Sequence, residues 1–206
     1  MFVKICGITS AEALNAAVAA GADAVGFVFA QSPRRIDPER AAELCASLPK
    51  GMRRIGVMRH PDTVTVSEVL RTFAPDWLQT DAEDFATIEL PPGCLPLPVY
   101  RNGRLPAAFA AADGAADAIP ARLLFEGAAS GTGATADWDE ARALAGRTEL
   151  VLAGGLNPDN VAAAIRHVRP WGVDASSGLE ASPGRKDPAK ITAFVTAAKA
   201  AGRTSP

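Results

Sequence analysis

Apolar, β-branched runs alternate along the chain with alanine-rich segments of helical period, and the alternation repeats about every 25 residues. This pattern is typical of βα units that build a parallel sheet. It predicts eight strands, at residues 3–6, 24–29, 54–58, 77–79, 95–100, 122–125, 150–153 and 172–174.

Capping residues mark where the intervening helices begin. A side chain able to accept a hydrogen bond precedes proline or a good helix former at six places, which are Ser10, Asp37, Asp62, Asp137, Asn157 and Asp187. Between residues 100 and 122, Pro106, Gly114 and Pro120 interrupt an alanine-rich stretch. The fifth helix is therefore expected to be short or absent.

Eight such units fit either a closed (β/α)₈ barrel or an open, doubly wound sheet. Polar residues and glycines follow nearly every predicted strand, and a barrel gathers these loops on one face. An open sheet concentrates them at one switch point, and no Gly-x-Gly-x-x-Gly sequence follows a strand and opens a helix. We therefore predict an α/β fold of the (β/α)₈ (TIM) barrel type, formed by residues 1–206 as a single domain.

Composition narrows the function classes. The 206 residues are 48% hydrophobic and 21% charged, with a formal net charge of -2 and no basic cluster, which argues against a nucleic-acid partner. The sequence shows neither a long apolar run nor a signal-peptide pattern, so a cytoplasmic protein without a membrane partner is expected. Its three cysteines are far apart and form no metal-ligand motif. We predict free thiols and no metal.

Two glycine-rich or serine-rich stretches follow the last two predicted strands. Gly154 and Gly155 follow the seventh strand, and Ser176 and Ser177 follow the eighth. In barrels, the loops after strands seven and eight commonly bind a phosphate group through backbone N–H groups and a helix N-terminus. Either loop alone could simply turn the chain. Together, at these two strands, they predict a phosphate site.

The first strand places two polar side chains on one face. Side chains alternate along a strand, so Lys4 and Cys6 share the face opposite Val3 and Ile5 and point into the barrel. A neighbouring ammonium favours the thiolate, which predicts a Cys6 pKa below its free value of about 8.5. The alternative is a small buried hydrophobe. That interpretation is kept for Cys45 and Cys94.

Several motifs in order resemble one family. The runs are Lys4-Ile5-Cys6-Gly7-Ile8-Thr9, residues 21–29, Ser32-Pro33-Arg34, Gly131-Thr132-Gly133 with Asp137-Trp138, residues 154–158, and residues 174–180 with Pro183-Gly184 and Lys186-Asp187. Together they resemble the phosphoribosylanthranilate isomerases and span almost the whole chain. The resemblance implies the Amadori rearrangement of N-(5-phosphoribosyl)anthranilate to 1-(2-carboxyphenylamino)-1-deoxyribulose 5-phosphate, the third step of tryptophan biosynthesis from chorismate, without cofactor or metal.

The resemblance also implies residue roles. Cys6 matches the family's general base and Arg34 the arginine expected to meet the anthranilate carboxylate, which a guanidinium can bind through paired hydrogen bonds. Asp174 matches an aspartate expected to bond a sugar hydroxyl; alternatively, it caps the turn at Ser176 and Ser177. The expected substrate-binding set is Lys4, Arg34, Gly154, Gly155, Asp174, Ser176 and Ser177.

The chain departs from the family at the position of the general acid. In the family this acid is usually an aspartate at the end of strand six, in a Leu-Leu-Asp pattern. Here the sequence reads Leu123-Leu124-Phe125-Glu126. Holding the leucine pair fixed puts Phe125 in the acid's place, whereas a shift of one residue puts Glu126 there. We favour Glu126 because a carboxylic acid can deliver a proton. Its alternative is a solvent-facing loop acid, and Asp137 and Asp139 are poorer candidates because a helix begins there.

A second departure follows strand four, where the family often has a histidine and this chain has Asp81. Asp81 either takes a polar role in the site or, as we favour, caps the next helix. His60 is expected at the rim of the site, and His167 in a helix is expected to be structural.

These features together predict an isomerase that acts on a small phosphorylated substrate as a monomer or homodimer. Two alternatives remain: an inactive phosphate-binding barrel that serves as a sensor or scaffold, and another phosphosugar enzyme, such as a ribulose-phosphate epimerase or indole-glycerol-phosphate synthase. Those enzymes would require metal-ligating histidines, or a catalytic lysine with paired glutamates, and neither set is visible at the predicted strand ends.

Overall fold

The structure is a computed structural model that describes residues 1–104, 106, 119–127 and 136–204. Eight parallel strands close into a barrel in sequence order, and β1 pairs with both β2 and β8. The predicted α/β barrel is confirmed. The strands are β1 (Phe2–Cys6), β2 (Ala24–Val28), β3 (Arg53–Val57), β4 (Trp77–Asp81), β5 (Leu95–Arg101), β6 (Arg122–Glu126), β7 (Glu149–Leu152) and β8 (Gly172–Ala175).

Helices cover the outside of the barrel. The described α-helices are α1 (Ala11–Ala20), α2 (Pro38–Cys45), α3 (Thr63–Thr72), α4 (Trp138–Ala145), α5 (Val161–Val168) and α6 (Pro188–Thr204). A 3₁₀ helix, Ala82–Ala86, follows β4. The expected weak fifth helix and the Gly131-Thr132-Gly133 motif lie outside the described residues. No described helix combines the length and apolar character needed to cross a membrane.

The predicted caps explain most helix starts. Ser10 accepts a hydrogen bond from Ala13 N, Asp62 from Thr65 N, and Asp137 from Asp139 N and Glu140 N. Helix α5 begins three residues later than the predicted start, because the Asn157 side chain accepts bonds from Asp159 N and Asn160 N. These bonds form a local turn before the helix.

The alternation of each strand separates two cores. Residues such as Val3, Ile5 and Phe125 pack outward against the helices, whereas Ala24 and Leu124 face the barrel interior. A hairpin after β8 adds β9 (Glu180–Ser182) and β10 (Arg185–Lys186), which lie outside the barrel sheet.

An aromatic cluster closes the amino-terminal end of the barrel. Phe2 stacks on Trp171 at a centroid distance of 4.5 Å and on Trp77 at 5.4 Å. The guanidinium of Arg122 lies 4.2 Å from the Trp77 ring and 4.6 Å from the Trp171 ring, and pairs with Glu149. This end of the barrel is thus filled, so the accessible cavity lies at the opposite end.

Candidate active site

A cavity of about 320 Å³ opens at the carboxyl ends of the strands. Each of the eight strands, or the loop that follows it, contributes to the wall: Cys6, Val28, Val57, Asp81, Arg101, Glu126, Ala153 and Asp174 are examples in strand order. Most of the proposed site residues line this cavity, namely Cys6, Arg34, Glu126, Gly154, Gly155, Asp174, Ser176 and Ser177. Lys4 is the exception.

Lys4 lies beneath Cys6 and is fully buried. Its Nζ donates to Asp174 Oδ2 at 2.9 Å, across the β1–β8 pairing that sets the two residues opposite each other. Burial lowers the pKa of Lys4, but the charges of Asp174 and Cys6 outweigh this effect and leave it raised. Lys4 is therefore a charged residue of the interior that supports the cavity floor.

The pKa of Cys6 differs from the predicted one. Burial raises the pKa of the Cys6 thiol, and the nearby charges of Lys4 and Lys186 reduce this effect without reversing it. The prediction of a Cys6 pKa below its free value was wrong because burial of the thiol outweighs the charge of Lys4, which Asp174 also partly offsets. The resting group is therefore the thiol, and the positive charges of Lys4 and Lys186 favour its ionisation.

Asp174 presents one oxygen to the cavity. Oδ2 is occupied by Lys4, whereas the buried Oδ1 has no hydrogen-bond partner among the described residues. The alternative that Asp174 caps the turn at Ser176 and Ser177 is not supported, because its only recorded hydrogen bond among the described residues is the one from Lys4. An unsatisfied buried carboxylate oxygen is costly unless a ligand donates to it.

The loops after β7 and β8 lie against each other. Gly154 and Gly155 both have positive φ, of 87° and 65°, a conformation that favours glycine. An alanine methyl group at Gly178 would lie 2.2 Å from the carbonyl oxygen of Leu156, so only glycine allows this approach. The two loops therefore form one continuous wall of backbone on this side of the cavity.

Arg34 enters the cavity from the loop after β2 and is held by Glu180 of β9. Its Nε donates to Oε1 at 2.7 Å and its Nη2 to Oε2 at 3.1 Å, a bidentate pair. Burial raises the pKa of Glu180, but the bonds from Arg34 and Lys186 prevail and leave it lowered. The guanidinium is thus fixed in direction, and it has further N–H groups beyond the two that Glu180 accepts.

Glu126 ends β6 and faces the barrel interior, because Leu124 two residues earlier belongs to the inner core. Phe125 points outward and is fully buried in the outer core. Holding the leucine pair fixed would therefore place an outward aromatic at the acid position. Oε1 of Glu126 lies 3.0 Å from Arg101 Nη2.

Arg101 also bonds Asp81, so two carboxylates share one guanidinium. Asp81 is 1% exposed and lines the cavity, and its side chain makes no cap hydrogen bond to the following 3₁₀ helix. The favoured prediction that Asp81 caps the next helix was wrong, because β4 runs two residues longer than predicted and Asp81 falls on its inner face.

His60 lies at the rim, with Nδ1 3.1 Å from Asp84 Oδ1 and Nε2 3.4 Å from Asp81 Oδ2.

One group of side chains has metal-ligand chemistry. Donor atoms of His60, Asp81 and Glu83 lie within 4.8 Å of one another. Within this group, Asp81 pairs with Arg101 and His60 contacts Asp84. Cys45 and Cys94 are buried thiols elsewhere, whose pKa values burial raises to about 12 and about 11. His167 lies on α5, where Nε2 contacts Asp139 at 2.7 Å.

Several residues in or behind the cavity wall had no role predicted from the sequence, among them Arg101, Gln79 and Lys186. Arg101 and Gln79 line the cavity, and the buried Lys186 anchors the β8 loop by donating to the Ser176 carbonyl oxygen at 3.0 Å. A sequence signal existed for Arg101, because it directly follows the fifth predicted strand and the residues at strand ends line the active site of a barrel. Lys186 belonged to the Lys186-Asp187 motif of the family resemblance, but no role was predicted for it because the hairpin that carries it lies beyond the last predicted strand.

A closed parallel barrel whose eight strand ends surround one polar cavity is the architecture of a TIM-barrel enzyme, with the active site at the carboxyl face. Residues 3–197 match the family model described as N-(5'-phosphoribosyl)anthranilate (PRA) isomerase. The N-(5'-phosphoribosyl)anthranilate isomerase of Pelobacter propionicus is 40% identical over 203 residues, covering 96% of this chain and 95% of the relative.

Solved structures agree with the sequence comparison. Phosphoribosyl anthranilate isomerase from Thermotoga maritima superposes with a TM-score of 0.81 at 34% identity, covering 97% of this chain and 99% of that one. A phosphoribosyl anthranilate isomerase in complex with reduced 1-(o-carboxyphenylamino)-1-deoxyribulose 5-phosphate gives 0.77 at 33% identity, with the same coverage. The chain belongs to the phosphoribosylanthranilate isomerase family, whose members are isomerases of tryptophan biosynthesis.

Proposed function

We propose that this barrel catalyses the Amadori rearrangement of N-(5-phosphoribosyl)anthranilate with Cys6 as general base and Glu126 as general acid. The activity is that of the family to which the chain belongs. The observation that carries the residue assignment is geometric. A thiol on β1 and a carboxyl group on β6, strands that are not neighbours, both face one cavity.

The remaining cavity groups suit the three polar parts of this substrate. The wall formed by Gly154, Gly155, Ser176 and Ser177 would bind the phosphate through backbone N–H groups. The Arg34 guanidinium would bind the anthranilate carboxylate with the N–H groups that Glu180 does not use. A sugar hydroxyl would donate to Asp174 Oδ1, the buried oxygen without a partner among the described residues.

The chemistry needs one proton delivered and one removed. The Glu126 carboxylic acid would protonate the ring oxygen as the C1–O bond breaks, which leaves an iminium between C1 and the anthranilate nitrogen. The Cys6 thiolate would then take the C2 proton, and the C2–H electron pair forms the enolamine C1–C2 double bond. Protonation at C1 and loss of the enol proton complete the ketone, so the atoms and charges balance without a redox partner.

Steady-state kinetics with phosphoribosylanthranilate test both assignments. We expect Cys6→Ala and Glu126→Gln each to lower kcat by about 10²–10⁴-fold with a much smaller change in KM. Cys45→Ala, which removes a buried thiol of α2 remote from the cavity wall, is the matched control and should keep its kcat.

Two outcomes would decide against this assignment. Full activity of Glu126→Gln would refute the assignment of Glu126 as general acid, and full activity of Cys6→Ala would refute the assignment of Cys6 as general base. A wild-type protein that binds the reduced product analogue but shows no turnover would instead favour the inactive, ligand-binding barrel.

The phosphorylated class of ligand is supported by the relative solved with reduced 1-(o-carboxyphenylamino)-1-deoxyribulose 5-phosphate. A further solved relative consists of monomers generated from the dimeric phosphoribosylanthranilate isomerase of Thermotoga maritima, and it superposes with a TM-score of 0.78. We accordingly propose a monomer or homodimer here, located in the cytoplasm. Sedimentation velocity distinguishes the two assembly states.

A further inference from the structure

The β9–β10 hairpin carries a buried ammonium next to the proposed base. Lys186 has no exposed side-chain surface, and its Nζ donates to Ser176 O at 3.0 Å, to Ser176 Oγ at 3.3 Å and to Glu180 Oε1 at 2.8 Å. The three contacts match the three N–H groups of an ammonium. Burial lowers the pKa of Lys186, and the hydrogen bond and charge of Glu180 oppose that effect.

Lys186 also lies close to the backbone that follows Cys6. An alanine methyl group at Gly7 would be 3.2 Å from Lys186 Nζ, 2.8 Å from Arg34 Cδ and 3.1 Å from Ser176 Oγ. Gly7 has a φ of 76° and is the residue after the thiol. The two cations and the β8 loop thus meet at the end of β1.

The charges on the two sides of Cys6 are unequal. On the β8 side, Lys4 and Asp174 form a neutral pair. On the hairpin side, Arg34 and Lys186 share the single carboxylate of Glu180, which leaves one net positive charge. Lys4 favours the Cys6 thiolate most, Asp174 offsets part of its effect, and Lys186 adds a second positive charge from the hairpin side.

We propose that Lys186 is a positioning residue of the isomerase reaction, which holds Ser176 and Glu180 in place and supplies a second positive charge that stabilises the Cys6 thiolate. This proposal rests on the proposed function, in which Cys6 is the base. Among the described residues, the charged groups that act on the thiol are Lys4, Asp174 and Lys186, with Arg34 and Glu180 behind Lys186.

Thiol titration tests the charge directly and needs no turnover. In a Cys45→Ala/Cys94→Ala background, Cys6 is the only thiol, and its alkylation rate with iodoacetamide across pH gives its titration midpoint. Lys186→Met should move this midpoint upward by at least about one pH unit. Lys186→Arg, which keeps the charge, should restore it. Glu180→Gln should move the midpoint in the opposite direction, because it removes the shared anion.

The matched control is Lys190→Met. Lys190 Nζ donates to the backbone oxygen of Glu180 at 2.8 Å, so it holds the same hairpin without facing Cys6. This variant should leave the midpoint unchanged. If Lys186→Met behaves like Lys190→Met, or if Glu180→Gln shifts the midpoint in the same direction as Lys186→Met, the proposal is overturned.

Kinetics give the second readout. At pH 7, kcat of Lys186→Met should fall about tenfold for each pH unit by which the thiol midpoint rises, and the deficit should shrink at alkaline pH. A deficit that is constant across pH would show a purely structural role and would overturn the proposal. Because alkylation is independent of isomerisation, a wild-type protein without activity would refute the proposed function and leave the titration result standing.

Discussion

The buried ion pair beneath Cys6 should contribute strongly to the stability of the fold. Lys4 has no exposed side-chain surface, Asp174 is 8% exposed at its side chain, and Nζ and Oδ2 are 2.9 Å apart. Replacing Lys4 by methionine keeps the side-chain length but leaves the Asp174 carboxylate buried without its cation. Removing one partner of such a pair costs about 3–5 kcal/mol, chiefly through the uncompensated charge.

This cost should be visible as a large loss of thermal stability. For a chain of this size, 1 kcal/mol lowers Tm by about 2–4 °C, so Lys4→Met should lower Tm by roughly 6–20 °C. The double variant Lys4→Met/Asp174→Asn removes both charges and should recover much of the loss. Calorimetry or thermal circular dichroism measures both changes.

A surface pair provides the comparison. Lys199 Nζ lies 2.5 Å from Asp23 Oδ2, but both side chains are about one third exposed, so Lys199→Met should cost about 1 kcal/mol or less. If Lys4→Met costs no more than Lys199→Met, or if the double variant is less stable than Lys4→Met alone, the account of Lys4 as a buried, paired cation is refuted.

Two further predictions follow from close contacts at opposite ends of the barrel. In Gly26→Ala, the new methyl group would lie 3.1 Å from Cys6 Sγ, so the thiol must shift by a few tenths of an ångström. We expect kcat to fall about tenfold with little change in KM. Unchanged steady-state kinetics would contradict this prediction. Arg122→Met removes the cation that contacts Trp77 and Trp171. We expect the free energy of unfolding in urea to fall by about 1–2 kcal/mol, with altered tryptophan fluorescence. An unchanged midpoint of urea unfolding would argue against a stabilising contact.

The strand pattern predicted the barrel because apolar runs, caps and short loops repeat, and each of these signals is local. The eight predicted strands all appear, with ends that differ by one or two residues. The largest difference is at β4, which was predicted to end at Gln79 and ends at Asp81. That extension explains the error about Asp81, since a cap was expected at a residue that in fact continues the inner face of the strand.

Face alternation resolved the position of Glu126, which sequence matching left between two registers. Leu124 packs inside the barrel and Phe125 outside, so the next residue must face inward again. The same rule applied correctly to Lys4 and Cys6. The alternation of side-chain faces along a strand was therefore a more reliable guide to the residues of the cavity wall than the position of a leucine pair.

Charge balance was the property that the sequence could not supply, because it depends on which side chains from distant segments pair. Lys4 is two residues from Cys6 in sequence, yet Asp174 from a distant strand offsets part of its effect on the thiol. Lys186 is far away in sequence, yet its charge also acts on Cys6. On the other side of the cavity, the described residues pair two carboxylates, Asp81 and Glu126, with the one guanidinium of Arg101.

Both proposed reacting groups therefore lie among charges that other strands carry. Cys6 lies near Lys4 and Asp174 of the β1–β8 pair and near Lys186 of the hairpin. Glu126 shares the guanidinium of Arg101 with Asp81. A substitution that changes the charge beside Cys6 should therefore affect the removal of the C2 proton first, whereas a substitution of Arg101 or Asp81 should affect the opening of the sugar ring first.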